Sequence, residues 1–272
     1  MPDTISESIK THWREMGQGP EQAFAIHCSL GHSGAWEGLA DQLSDMVTMR
    51  AFDLPGHGGS SDWDGTQGYA DLAATMAKGV MQPDGKIHLI GHSFGATLAL
   101  RLAIENPERF ASLTLIECVF FTIVRQDHPD KLPDDQQRRA PFADAMDNGE
   151  YETAARQFHG TWGDGRKWDE MTARQREGLT KRMPLIAAVQ SSNNGDPLNM
   201  LASGALTRLP VPTLLIQGAD SPPHIGLIND GLAARIPNTV RAEIPDAAHM
   251  APITHPGPVA ATLRSFLTNV TA

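Results

Sequence analysis

Gly91-His92-Ser93-Phe94-Gly95 sets one serine between two glycines. A serine hydroxyl is a poor nucleophile until a base takes its proton, so it must stand clear of the backbone within reach of an imidazole. Two later residues complete such a relay in chain order: Asp220, in Gly218-Ala219-Asp220, and His249, in Asp246-Ala247-Ala248-His249-Met250. Serine, acid and histidine in that order suit acyl transfer. Ser93 would attack a carbonyl, His249 would act as general base and then general acid, and Asp220 would orient the imidazole and stabilise its cation. Glu117 is the alternative acid, because some arrangements draw it from the strand after the serine. The other histidines are less well placed. His57 lies in a glycine loop, His224 follows two prolines, His255 precedes Pro256, and His92 flanks the serine with its side chain directed elsewhere. Two backbone N–H groups would meet the oxyanion, that of Phe94 directly after the serine and that of Ser29 after an earlier strand.

These residues need elements to position them. Ile87-His88-Leu89-Ile90 is a short apolar run suited to a strand buried on both faces. Behind the serine, Leu98, Ala99 and Leu102 recur at helical spacing, with Pro107 as the stop. Further strands are predicted over 23–28, 47–54, 113–118, 213–218 and 240–244, and helices over 35–46, 69–81, 225–236 and 256–269. The polar stretch 1–21 holds one patch, Trp13-Arg14-Glu15-Met16-Gly17, that could be an edge strand. This alternation predicts an α/β fold with a mostly parallel, doubly wound sheet. The rhythm breaks over 119–204, where charges and prolines crowd 125–139 and no β-run occurs. The expected organisation is therefore a core in two parts, 1–118 and 205–272, with an α-helical cap at 119–204.

In parallel sheets, ligands gather at the carboxyl ends of strands, which is where Ser93, Asp220, His249, Glu117 and Asp53 fall. Asp53 is expected to brace the turn over 55–61. Large apolar residues in the insert pack its helices together, while Trp162, Phe120 and, beside the histidine, Met250 are expected to face the serine in a mainly apolar pocket. Gly160–Gly165 is read as a turn. Arg125, Arg138 and Arg139 are either solvated surface or partners for a substrate carboxylate.

With 272 residues, 40% hydrophobic and 20% charged, the chain has an ordinary globular composition. A formal net charge of −10 argues against nucleic acid or an anionic membrane as partner. Cys28 and Cys118 have no metal or redox spacing, which suits reduced, buried thiols and a cytoplasmic location. No base or helix N-terminus is placed to activate Cys28, so it is read as packing. Neither a metal nor an organic cofactor is expected, because no ligand spacing and no glycine-rich phosphate loop occurs. The N-terminal ten residues lack the apolar region of a signal peptide, and no apolar stretch reaches membrane-span length.

Together these residues resemble the α/β-hydrolase superfamily. The resemblance rests on His27-Cys28-Ser29 with Trp36 downstream, Asp53-Leu54-Pro55-Gly56-His57-Gly58-Gly59-Ser60, the Ser93 pentapeptide, and the segments around Asp220 and His249. It covers nearly the whole chain except the insert. The family usually reads His-Gly where this chain has His27-Cys28. A serine at the elbow separates it from dehalogenase and epoxide-hydrolase branches, which use an aspartate there. The resemblance implies esterase, lactonase, thioesterase or carbon–carbon bond hydrolase chemistry, and the expected reaction is cleavage of a small, mainly apolar carboxylic ester or lactone through an acyl-enzyme intermediate. The alternatives are a carbon–carbon bond hydrolase, a cofactor-free haloperoxidase-like member and, in another class, a non-catalytic small-molecule receptor.

Overall fold

The computed structural model describes residues 3–6, 9–82 and 85–271. The leader reading concerns residues 1–10, of which 1, 2, 7 and 8 lie outside the described residues. Eight strands form one sheet: β1 (Asp3–Ser6), β2 (Ile9–Met16), β3 (Glu21–Ile26), β4 (Val47–Phe52), β5 (Ile87–His92), β6 (Phe110–Ile116), β7 (Thr213–Gly218) and β8 (Thr239–Ile244). Their order is β1-β2-β4-β3-β5-β6-β7-β8. The pairings from β4 through β8 are parallel, and β1 and β2 close one edge antiparallel.

Alternation of side chains across each strand builds two apolar faces. On β3, Phe24 and Ile26 point to one side while Ala23 and Ala25 point to the other; Leu89 and Ile90 divide the same way on β5. The first face is covered by α2 (Tyr69–Val80), α3 (Phe94–Glu105) and α9 (Pro223–Ala233), the second by α1 (Glu37–Gln42) and α11 (Pro256–Thr271). The first predicted helix is shorter than its apolar spacing suggests, because Ser33–Trp36 forms a 3-10 turn before α1 begins.

Between β6 and β7 the described chain is helical: α4 (Thr122–Asp127), α5 (Leu132–Asp147), α6 (Tyr151–Trp162), α7 (Ala173–Ala188) and α8 (Gln190–Asn194). This segment has an apolar cluster of its own, including Ala154, Trp168, Met171, Met183 and Ile186. A short α10 (Ala251–Thr254) follows β8.

Two loops at the carboxyl edge of the sheet, one after β3 and one after β4, are tied together by side chains. Leu54 N–H donates to His27 Nε2 at 3.0 Å, and Leu30 N–H donates to His57 Nε2 at 2.9 Å. The opposite nitrogens, His27 Nδ1 and His57 Nδ1, donate to the carbonyls of Cys28 and Pro55. Both rings are thereby held neutral in the same tautomer. Asp53 adds a third tie, accepting from Ser33 N–H on one loop and Gly59 N–H on the other. Burial alone would raise its pKa, but these N–H donors outweigh it and hold the carboxyl below its ordinary range. Asp53 thus braces the expected turn and the neighbouring loop as well.

At the crossing of β5 and α3 there is no room for side chains at two glycines. A Cβ on Gly91 would overlap the Gly95 carbonyl and Ala96 Cα, and one on Gly95 would overlap the carbonyls of Ile26 and His27. Gly95→Ala is expected to lower unfolding stability by about 1–3 kcal/mol, measured by urea denaturation, because backbone rather than a flexible side chain must give way.

Burial pushes three carboxyl-edge histidines down from 6.5: His27 and His92 to about 3 and His57 to about 4. In the unfolded chain they take up protons near 6.5, so between about 6.5 and 4 the unfolded state binds more protons than the folded one. Their contribution is fully present above that window and is lost with increasing steepness as pH falls through it. Urea unfolding at pH 7, 6 and 5 should show stability falling more steeply at each step, and His57→Gln should make that fall shallower.

Candidate active site

Ser93 is the junction between β5 and α3, with φ 58° and ψ −122°, a left-handed backbone that L-residues seldom adopt. Its N–H donates to Ile116 O at 2.9 Å, and its carbonyl accepts from Ala96 and Thr97. Held this way, the side chain projects from the edge of the sheet. Ser93 Oγ lies 2.9 Å from His249 Nε2, and His249 Nδ1 lies 3.0 Å from Glu117 Oε2. The carboxylate accepts from Nδ1–H, which leaves Nε2 free to accept the serine proton.

The acid in this chain of hydrogen bonds is Glu117, not Asp220. Glu117 is fully buried directly after β6, with φ 54°. Its other oxygen accepts from Gly218 N–H at 2.6 Å and Ser221 Oγ at 2.7 Å. A buried carboxylate is costly unless its oxygens are satisfied, and here three donors satisfy it. Asp220 is exposed; its backbone N–H bonds Ala247 O at 2.9 Å and so ties the loop after β7 to the segment carrying His249. The loop expected to supply the acid instead holds the acid of the neighbouring strand. Glu117 carried a signal of its own: a lone carboxylate between Ile116 and Cys118, in a run that must be buried.

His92 has a structural task, donating from Nε2 to the His249 carbonyl at 2.8 Å. Ser29 and Ser93 line the same cavity, and Phe94, as the first residue of α3, has no carbonyl four residues back within the helix to bond. The left-handed turn in the loop after β3 falls at Leu30, φ 66°, and not at Cys28. A side chain is therefore tolerated where the family usually has glycine. Burial pushes the Cys28 thiol up to about 12, which leaves it inert as a nucleophile. Among the described residues, no group of three or more His, Cys, Asp or Glu is placed to hold a metal ion, and no helix is long and apolar enough to cross a membrane.

A cavity of about 610 Å³ opens onto Ser93 and His249 beneath the helices between β6 and β7. Trp162 lines it, with its ring 4.7 Å from that of His249. Phe120 does not: it is fully buried in the core on the α2–α3 side of the sheet, and Phe121 lines the cavity in its place. The Phe121 N–H bonds the Val119 carbonyl, and this tight turn sends adjacent phenylalanines to different surroundings. Met250 caps the start of α10 and is not part of the lining.

The family described as the Alpha/beta hydrolase family matches residues 24–262. A pimeloyl-acyl-carrier-protein methyl ester esterase of Methylococcus capsulatus is 30% identical over 264 residues, covering 92% of this chain and 96% of its own. The dihydrolipoyllysine-residue acetyltransferase component of an acetoin cleaving system from Cupriavidus necator is 34% identical over 117 residues, 42% of this chain; the chain spans only 31% of that relative's length. Among solved structures, a hydrolase from Pseudomonas aeruginosa PA01 superposes with a TM-score of 0.74 at 19% identity, over 98% of this chain and 97% of that one. The family match runs from within β3 into α11 and takes in strands β4 to β8, both loops at the carboxyl edge and the Ser93 junction, and on that evidence this chain belongs to the alpha/beta hydrolase family.

Proposed function

We propose that the protein is a serine hydrolase that cleaves a small carboxylic ester or lactone through an acyl-enzyme intermediate. The observation that carries this reading is the Ser93–His249–Glu117 relay, with contacts of 2.9 and 3.0 Å, at the wall of a cavity large enough for a small molecule. As Ser93 Oγ bonds to the carbonyl carbon, its proton passes to His249 Nε2, and Glu117 stabilises the imidazolium. The carbonyl oxygen becomes an oxyanion facing Ser29 N–H and Phe94 N–H, with the N-terminus of α3 adding partial positive charge. Collapse breaks the bond to the alcohol oxygen, which takes the proton from Nε2. Water then repeats the sequence on the acyl-serine: His249 takes its proton, and the acid leaves as Ser93 recovers its hydrogen. The helices over 119–204 act as a cap that shapes the pocket and limits water. The likeness over 92% of the chain to a relative named as a methyl ester esterase supports ester cleavage.

Ser93→Ala is expected to lower p-nitrophenyl acetate turnover by roughly a thousandfold or more and to abolish labelling by a fluorophosphonate. Labelling retained in that variant would overturn the choice of nucleophile. The two acids separate by kinetics. Glu117→Gln should reduce kcat about a thousandfold or more with KM little changed, because the imidazole loses the group that fixes its tautomer. Asp220→Asn should stay within about twofold of wild type, since an exposed side chain there orients nothing.

A further inference from the structure

The chain is acidic, with 32 Asp and Glu against 22 Lys and Arg. Arg138 and Arg139 of α5 nevertheless line the cavity over Ser93, each also engaged with other groups of the protein. Its other polar lining is mainly hydroxyl and amide, including Gln157 and Gln190. A run of ring contacts connects the histidine beside the serine to the arginines. From His249 the rings step to Trp162 at 4.7 Å and on to Phe121 at 6.2 Å, and the Arg139 guanidinium lies 5.7 Å over the Phe121 ring. Arg138 Nη2 lies 3.4 Å from His224 Nε2, and the His224 ring is 6.1 Å from Phe121. Aromatic rings thus link the histidine beside Ser93, contact by contact, to two guanidinium groups in the cavity lining. Guanidinium forks match the oxygens of carboxylates and phosphates, and a partly apolar surround strengthens such a contact.

We propose that the preferred substrate is an ester that also carries an anionic oxygen group, held by Arg138 and Arg139 several bonds away from the carbonyl attacked by Ser93. This rests on the ester-hydrolase reading above and narrows its substrate class. The acyl or alcohol chain spans Trp162 and Phe121, and the anion sets how far the carbonyl reaches toward Ser93. Binding at the distant end therefore favours substrates of one length, and a neutral isostere gains only the apolar part of the contact.

The test is kcat/KM for three probe sets, each against neutral isosteres of equal length. The first is monomethyl half-esters of linear dicarboxylic acids of increasing length, with the anion on the acyl side. The second is ω-acetoxyalkanoates, with the anion on the alcohol side. The third is methyl ω-phosphonoalkanoates, which distinguish phosphate-like from carboxylate recognition. The expected result is a preference of about tenfold to a hundredfold for one anionic set at one optimum length, shrinking as salt is raised. Arg139→Gln and Arg138→Gln should each cut that preference about tenfold. Arg139→Lys should retain part of it, because charge survives without the fork. Arg241→Gln, which breaks a surface pair with Asp230, should leave the preference unchanged and serves as the control. Equal rates for anionic and neutral probes, or a preference that survives both glutamine variants, would overturn the proposal while ester cleavage stands. Absence of Ser93-dependent turnover on every probe would overturn the ester-hydrolase reading itself.

Discussion

The left-handed backbone at Ser93 is the constraint on which the site depends. A non-glycine residue in such a region costs on the order of 1–3 kcal/mol and persists only where its surroundings over-determine it. Here they do so through contact. Glycine at 91 and 95 lets β5 and α3 cross with backbone against backbone, and the Ser93 N–H is anchored to Ile116 on the next strand. A single bend then does two things. It lifts the hydroxyl toward His249, and it starts a helix whose first N–H has no partner within the helix.

Glu117 repeats the device one strand over. It too is left-handed, at φ 54°, directly after a parallel strand. Two adjacent strands therefore end in residues whose side chains leave the sheet at its carboxyl edge, and His249 spans the gap between them. Electrostatics reinforces the geometry. The buried carboxylate is made tolerable by Gly218, Ser221 and the imidazole, so removing any one donor leaves charge less well solvated. The histidine is fixed from behind as well, through its own carbonyl and His92.

Which of these features the sequence disclosed follows from what pattern can carry. Strands buried on both faces are short apolar runs, so β3, β5, β6 and β7 were legible, and the pentapeptide between a strand and a helix marked the sharp turn at Ser93. The antiparallel edge was harder, since β1 and β2 are largely polar and read as loop apart from the patch at Trp13. The acid was misassigned because Asp220 and Glu117 both follow strands at the same edge. Spacing along the chain does not say which loop turns its side chain inward; the demand that a buried charge find donors does. Phe120 and Phe121 are chemically identical neighbours, and only the local turn decides which of them meets the cavity. The insert was visible as a break in rhythm, but its lining was not, because its helices divide apolar residues between an internal core and the cavity.

That division has a mechanical consequence. Helix α7 contributes Met183 and Ile186 to the insert's own core, and from the same helix Arg182 Nε donates to Gly56 O while Leu185 fills the space beside Gly56. Gly56 adjoins His57, whose Nε2 holds Leu30 next to Ser29. The helices that shape the pocket and the loop that supplies Ser29 are thus supported through one turn. A change that shifts α7 on the sheet acts at once on the cavity wall and on the position of the Ser29 N–H.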